Sequence, residues 1–170
     1  MLKQSKSNKK ISVKDLIKDI DLPKENQSIF TIENNGNSIF DYFLNICSKE
    51  KINSASIISY RISKKDLVFL EEIKSIYNFD FKYRLLLSDS IPSMVVGTFN
   101  YLKDNNNFNV IYKNTHIKLC LIKTEKNNYS IFSSGNFNPD GKLEQLQIFN
   151  NKDIFENYNK SKLWQGEKEI

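Results

Sequence analysis

His116 and Lys118 stand two residues apart in His116-Ile117-Lys118-Leu119-Cys120-Leu121-Ile122, and Asn136 follows shortly after. In an extended strand successive side chains alternate faces. A spacing of two therefore sets imidazole beside ammonium, while Ile117, Leu119 and Leu121 point the other way. Near neutral pH an imidazole can act as a nucleophile and exchange protons, and an ammonium and an amide can steady charge on oxygen. Together they suit attack on phosphorus, where the pentacoordinate state concentrates negative charge on oxygens. Cys120 and Ile122 continue the polar face as apolar residues, so the pair belongs at the start of a buried strand, where a sheet opens to solvent.

The elements that must position this set can be read from periodicity. Ile11 to Ile20 reads as a short amphipathic helix ended near Pro23, with a basic arm before it (Lys3, Lys6, Lys9, Lys10, Lys14). Ser28 to Ile32 reads as a strand, and Phe40, Phe43, Leu44 and Cys47 fall at helical spacing. Ala55 to Tyr60 is a second strand. Ser63 with Asp66 predicts a capping box for a helix through about Tyr77. Phe81 to Leu87 is a third strand, and Ser88-Asp89-Ser90 with Pro92 starts a helix whose core stripe is Val95, Phe99 and Leu102. Consecutive strands follow at Phe108 to Tyr112, His116 to Lys123, Tyr129 to Ser133 and Leu143 to Phe149, before a last helix from about Asp153. The order implies an α/β fold, a mixed β-sheet flanked by helices on both faces. A turn at Lys126-Asn127-Asn128 returns the chain so that Ser133-Ser134-Gly135-Asn136 arrives near His116. Residues 1–27 are then an arm and a short helix, and residues 28–170 one domain.

Composition narrows the partners. The 170 residues carry a net charge of +5, which favours an anionic partner through the long-range field, and the basic N-terminal arm could lie along phosphates. No apolar run reaches the length of a membrane span, and no apolar stretch follows the basic start, so a cytoplasmic protein is expected. Cys47 and Cys120 sit in apolar contexts and read as reduced core thiols. The single histidine, His116, rules out a multi-histidine metal site within one chain. Arg61, Asp89 and Ser90 follow strands whose ends are where open α/β sheets hold ligands. Turn and cap roles explain Asp89 and Ser90 equally well. Phe40, Phe43, Phe69 and Phe99 read as core, and Tyr112 and Phe137 as the better stacking candidates.

His116-x-Lys118, a strand, a turn, a strand, then Ser134-Gly135-Asn136 and a downstream Glu144 resemble the HxK...GSxN pattern of the phospholipase D superfamily. The likeness covers roughly residues 28–160, with 116–144 the specific part. It implies a phospholipase D-like fold and metal-independent phosphodiester chemistry without a cofactor. His116 would attack phosphorus to form a phosphohistidine, Lys118 and Asn136 would hold the non-bridging oxygens, and Glu144 would orient the imidazole. Ser133, Ser134 and Arg61 would add substrate contacts. Because the reaction uses two histidines and this chain has one, the likeness also implies a two-fold homodimer with a shared site, as in the single-motif nucleases of the superfamily. Three departures stand out. The Asp often found five residues after the motif lysine is Lys123 here, the turn between the two strands is longer than usual, and SSGN stands where GSxN is common. The leading expectation is a nuclease acting on DNA or RNA. The alternatives are a nucleic-acid-binding module of the same fold without turnover, and a phospholipid headgroup hydrolase or transferase.

Overall fold

The computed structural model describes residues 16–34, 37–136 and 143–165, with backbone alone at residues 33, 34, 143 and 144. Seven strands form one sheet: β1 (Gln27–Asn34), β2 (Ile52–Ser59), β3 (Tyr83–Ser88), β4 (Phe108–Lys113), β5 (Leu119–Thr124), β6 (Asn128–Ser133) and β7 (Leu143–Asn150). Their order across the sheet is β1-β7-β6-β5-β2-β3-β4. β2, β3 and β4 run parallel, and every other neighbouring pair is antiparallel. This is the mixed sheet that the element order implied.

One face of the sheet carries α1 (Ile39–Lys49), α2 (Lys64–Ile76), α3 (Ile91–Met94) and α4 (Val96–Lys103); the other carries α5 (Lys152–Asn159) and a 3-10 turn at Lys162–Trp164. Alternation sorts the strand residues between two cores. Ile57, Leu85, Cys120, Ile122, Ile131 and Ile148 face α1 and α2, whereas Ile58, Leu86, Leu119 and Leu121 face Phe155 of α5. Burying each such side chain contributes about 1.5–3 kcal/mol. Cys47 and Cys120 are buried and unbonded, and burial pushes both thiols up from their ordinary pKa. Phe40 and Phe43 belong to the larger core, and Phe69 packs against it.

The helix starts follow their local chemistry. Ser38 with Asp41 and Ser63 with Asp66 each form the reciprocal capping box, and the Asn151 side chain accepts from the Ile154 N–H at 3.0 Å to begin α5.

Three expectations are corrected. The helix over Ile11–Ile20 is not continued by residues 17–24, which are non-helical, while residues 11–15 lie outside the described residues. Instead Asn45 Nδ2 donates to the Ile20 carbonyl at 2.6 Å and Lys49 Nζ to the same oxygen at 3.1 Å, which ties this segment to α1 with Ile20 buried. The single helix after Pro92 is two short ones, broken at Val95, whose φ of −133° and ψ of 62° are not helical. The strand expected from His116 begins only at Leu119, for a reason local to the site.

Candidate active site

Strand directions bring several chain segments to one end of the sheet. Ile58 pairs with Leu119, so the end of β2 meets the start of β5, and the ends of β3 and β4 lie alongside because both run parallel to β2. Phe132 pairs with Leu119 and Ser133 with Leu146, which adds the end of β6 and the first residues of β7.

His116 and Lys118 stand on the approach to β5. The Ile117 N–H donates to Thr115 Oγ1 at 3.2 Å, a local turn that competes with strand pairing and delays the strand. Pairing resumes at Lys118, whose carbonyl accepts from the Ser133 N–H at 3.1 Å. Lys118 is thus held opposite Ser133, half-buried, with the exposed His116 two residues before it.

Ser133 Oγ accepts from the Gly135 N–H at 3.0 Å, which closes a tight turn after β6. Ser134 is fastened to β7 twice: its N–H donates to the Gln145 carbonyl at 3.0 Å, and its Oγ accepts from the Gln145 N–H at 2.9 Å. Both serine oxygens therefore serve the loop, and each hydroxyl keeps its own proton to donate. The loop carries Asn136, whose side-chain oxygen is buried and has no hydrogen-bond partner among the described residues. An orphaned buried amide oxygen costs about 1–3 kcal/mol, and Asn45 Oδ1 and Ser130 Oγ are left in the same state elsewhere among the described residues. The Glu144 backbone lies in β7 next to Gln145, at this same end; its side chain lies outside the described residues, as does Phe137.

Sequence reasoning did not single out Tyr60. Its ring stacks on the His116 imidazole with centroids 4.6 Å apart and planes 14° from parallel. Beside it, the Arg61 guanidinium carbon lies 5.7 Å from the Tyr60 ring centroid. Ser59 Oγ donates to the Arg61 carbonyl at 2.6 Å and so fixes the turn that presents both residues. The signal was an aromatic next to Arg61 at a strand end, in a position where open sheets receive ligands.

Asp89 and Ser90 do turn work at the end of β3: the Asp89 N–H donates to the Lys113 carbonyl at 3.2 Å, and Ser88 and Ser90 share a hydroxyl contact of 2.7 Å. Tyr112 is half-buried on β4 and packs against Phe99 at 6.1 Å between centroids. Lys123 sits near the other end of β5, opposite Asn128, about 16 Å along the strand from Lys118. It is exposed and faces α5, where its charge helps to hold the Glu156 carboxyl below its ordinary pKa, after the larger effect of the hydrogen bond from Lys160. The departure from the motif therefore lies away from the imidazole.

Neither the protein-family models nor the curated proteins contain a match to this sequence. Solved structures do match its fold. Polyphosphate kinase from Porphyromonas gingivalis superposes with a TM-score of 0.59 at 14% identity over 84% of this chain; the match spans only 26% of the kinase. NucT from Helicobacter pylori gives 0.56 at 16% identity, covering 78% of this chain and 92% of NucT. Nuc from Salmonella typhimurium, a phospholipase D family member, gives 0.54 at 11% identity over 82% of this chain and 93% of Nuc. Identities this low speak to fold alone, and the seven-stranded mixed sheet with helices on both faces is accordingly a phospholipase D-like fold.

Proposed function

We propose that this chain is a metal-independent phosphodiesterase, with nucleic acid as its substrate, that works through a phosphohistidine at a site shared between two copies. The observation that carries the reading is the junction of β5 with β6. The bond from Ser133 to the Lys118 carbonyl sets His116, Lys118 and the Ser133–Asn136 loop at one end of the sheet.

The chemistry balances with these groups. An imidazole nitrogen of His116 attacks phosphorus, the nitrogen–phosphorus bond forms, and the bond to the leaving oxygen breaks as His116 of a second copy gives that oxygen a proton. Water then attacks phosphorus, loses its proton to the second imidazole, and releases the first. Lys118 supplies a cation for the non-bridging oxygens, and Asn136 an amide whose N–H groups can donate to them. Glu144 orients the imidazole, and Ser133, Ser134 and Arg61 contact the substrate.

Support for a second copy comes from β1. Phe30 and Ile32 are 57% and 53% exposed, and Ile32 pairs with Gln145, the residue that holds the Ser134 loop. This exposed apolar pair, at the sheet edge next to the strand that fastens the Ser134 loop, suits an interface with a second copy. The net charge of +5 supports a polyanionic substrate.

The direct test is cleavage of labelled DNA and RNA by the purified protein with and without EDTA, alongside His116→Ala and Phe30→Glu. Cleavage should survive EDTA and vanish in His116→Ala; Phe30→Glu should weaken both the dimer, followed by light scattering, and cleavage. Activity that disappears with chelator and returns with magnesium refutes the proposed chemistry. Salt-sensitive binding without cleavage by a verified dimer would favour the binding-module reading instead, and turnover of phospholipid alone would favour the lipid reading.

A further inference from the structure

β4 is an edge strand, and its unpaired side opens on a cavity. In a parallel pair, alternate residues aim both backbone groups at the neighbour. The Tyr83 N–H donates to the Asn107 carbonyl and the Asp89 N–H to the Lys113 carbonyl, so the odd-numbered residues of β4 face β3. Phe108, Val110 and Tyr112 therefore turn their N–H and C=O groups outward. None of those six groups has a hydrogen bond among the described residues. The strand carries no proline or bulge, two of the devices that protect an edge, and the lysine at its end, Lys113, donates to the carbonyls of Lys162, Leu163 and Gln165.

The cavity along this edge holds about 520 Å³. Its two sides differ because the pleat sorts their residues. Toward α4 the wall is apolar: Phe99, Leu102, Phe108, Val110 and Tyr112, with Lys103 at its lip. Toward α5 the wall carries the charged groups, Lys82 and Arg84, together with Asn109, Ile111 and Trp164. No Asp or Glu lines the cavity, and Lys82, Arg84 and Lys103 make no ion pair among the described residues. Among the rings, Phe108 is buried, Phe99 and Tyr112 meet at a tilt of 56°, and Arg84 occupies one face of Trp164 at 3.9 Å.

We infer that the β4 edge is a docking site for an extended acidic peptide segment that adds to the sheet as an eighth strand. Main-chain bonds to Phe108, Val110 and Tyr112 supply the attachment, and the two-sided wall supplies the selection. A strand entering here presents alternate side chains to the apolar and the basic sides. The occupant is thus a segment in which apolar and acidic residues alternate. A base-stacking strand of nucleic acid would need open aromatic faces and would leave the six backbone groups unused.

The probe is an end-blocked, fluorescein-labelled peptide Val-Glu-Val-Asp-Val-Glu, titrated into the full-length protein by anisotropy while amide exchange is followed by NMR. Binding should slow exchange at Phe108, Val110 and Tyr112, and should weaken at least tenfold when alternate peptide nitrogens are methylated or when Lys replaces the acids. Lys82→Glu combined with Lys103→Glu, both exposed positions, should weaken it to a similar degree, and the circular dichroism of that variant reports on folding. Equal binding of the methylated peptide, or protection outside β4, overturns the inference. It is also overturned if a single-stranded oligonucleotide displaces the peptide and protects the same amides, or if those amides become protected without peptide as protein concentration rises. DNA and RNA cleavage does not enter this readout, so its outcome is separable from that of the proposed activity.

Discussion

Replacing Tyr60 by alanine should release the His116 imidazole, and the effect can be followed without any assumption about activity. The stack at 4.6 Å and 14° is the one ring contact that holds the imidazole among the described residues. An aromatic pair of this kind contributes about 0.5–1.5 kcal/mol beyond its area. His116 is exposed and Tyr60 half-buried, so solvent competes on one side and about 1 kcal/mol is a fair value. That corresponds to about a fivefold loss in the population of the held orientation. Because the chain has one histidine, its ring-proton resonances are identified without assignment work. In Tyr60→Ala they should move downfield as the shielding of the tyrosine ring is lost, whereas Tyr60→Phe should leave them close to the wild-type positions. If the imidazole is the nucleophile, kcat should fall about fivefold in Tyr60→Ala, recover in Tyr60→Phe, and leave KM unchanged. Unmoved histidine resonances in Tyr60→Ala would refute the stacking argument outright. A kcat in Tyr60→Phe as low as in Tyr60→Ala would show that the hydroxyl, not the ring face, matters.

Lys118→Ala should lower kcat about 10²–10³-fold with little effect on thermal stability, because it removes a cation from the transition state and leaves the backbone bond to Ser133 in place; single-turnover cleavage and a thermal melt check the two halves. At the opposite end of the sheet, burial pushes the Glu50 carboxyl up, but hydrogen bonds from Thr124, Tyr129 and Asn127 outweigh it and hold the pKa below its ordinary value of 4.5. A carboxyl depressed on folding contributes stability that is present above its unfolded pKa and is lost as pH falls through the folded one. Glu50→Ala should therefore cost about 2–3 kcal/mol at pH 7 and less below pH 4.5, measured by urea titration at both pH values. Phe155→Ala should cost about 3–5 kcal/mol, because this buried ring fills the smaller core between α5 and strands β2, β3 and β5; an unchanged denaturation midpoint would contradict that packing.

The parts of the fold that could be read from the sequence are those that local chemistry determines. Ser63 with Asp66 announces α2 because the capping box needs only those residue types at that spacing, and Leu119-Cys120-Leu121-Ile122 announces a strand buried on both faces. The split between α3 and α4 was not legible, since Val95 is an ordinary helix residue and Pro92 is compatible with one helix as well as two. The loss of helix over residues 17–20 depends on a tertiary contact, the Asn45 side chain reaching Ile20 from 25 residues away. The site divides in the same way. Alternation along one strand suggested His116 beside Lys118, yet the strand begins at Leu119, and the Ile117 N–H is taken by Thr115 in a local bond that competes with strand pairing. The place of Tyr60 at a strand end was legible, but its contact with His116 was not, because only the antiparallel register of Ile58 with Leu119 makes the end of β2 and the approach to β5 neighbours. Lys123 taught the reverse lesson. Beside the motif in sequence it suggests lost chemistry, but the strand carries it about 16 Å from Lys118 and points it at α5. A change there alters how α5 rests on the sheet before it alters the imidazole. Lys123→Asp should accordingly act first on stability, through repulsion with Glu156, and on turnover only to the extent that α5 helps to hold Leu119 and the segment before it.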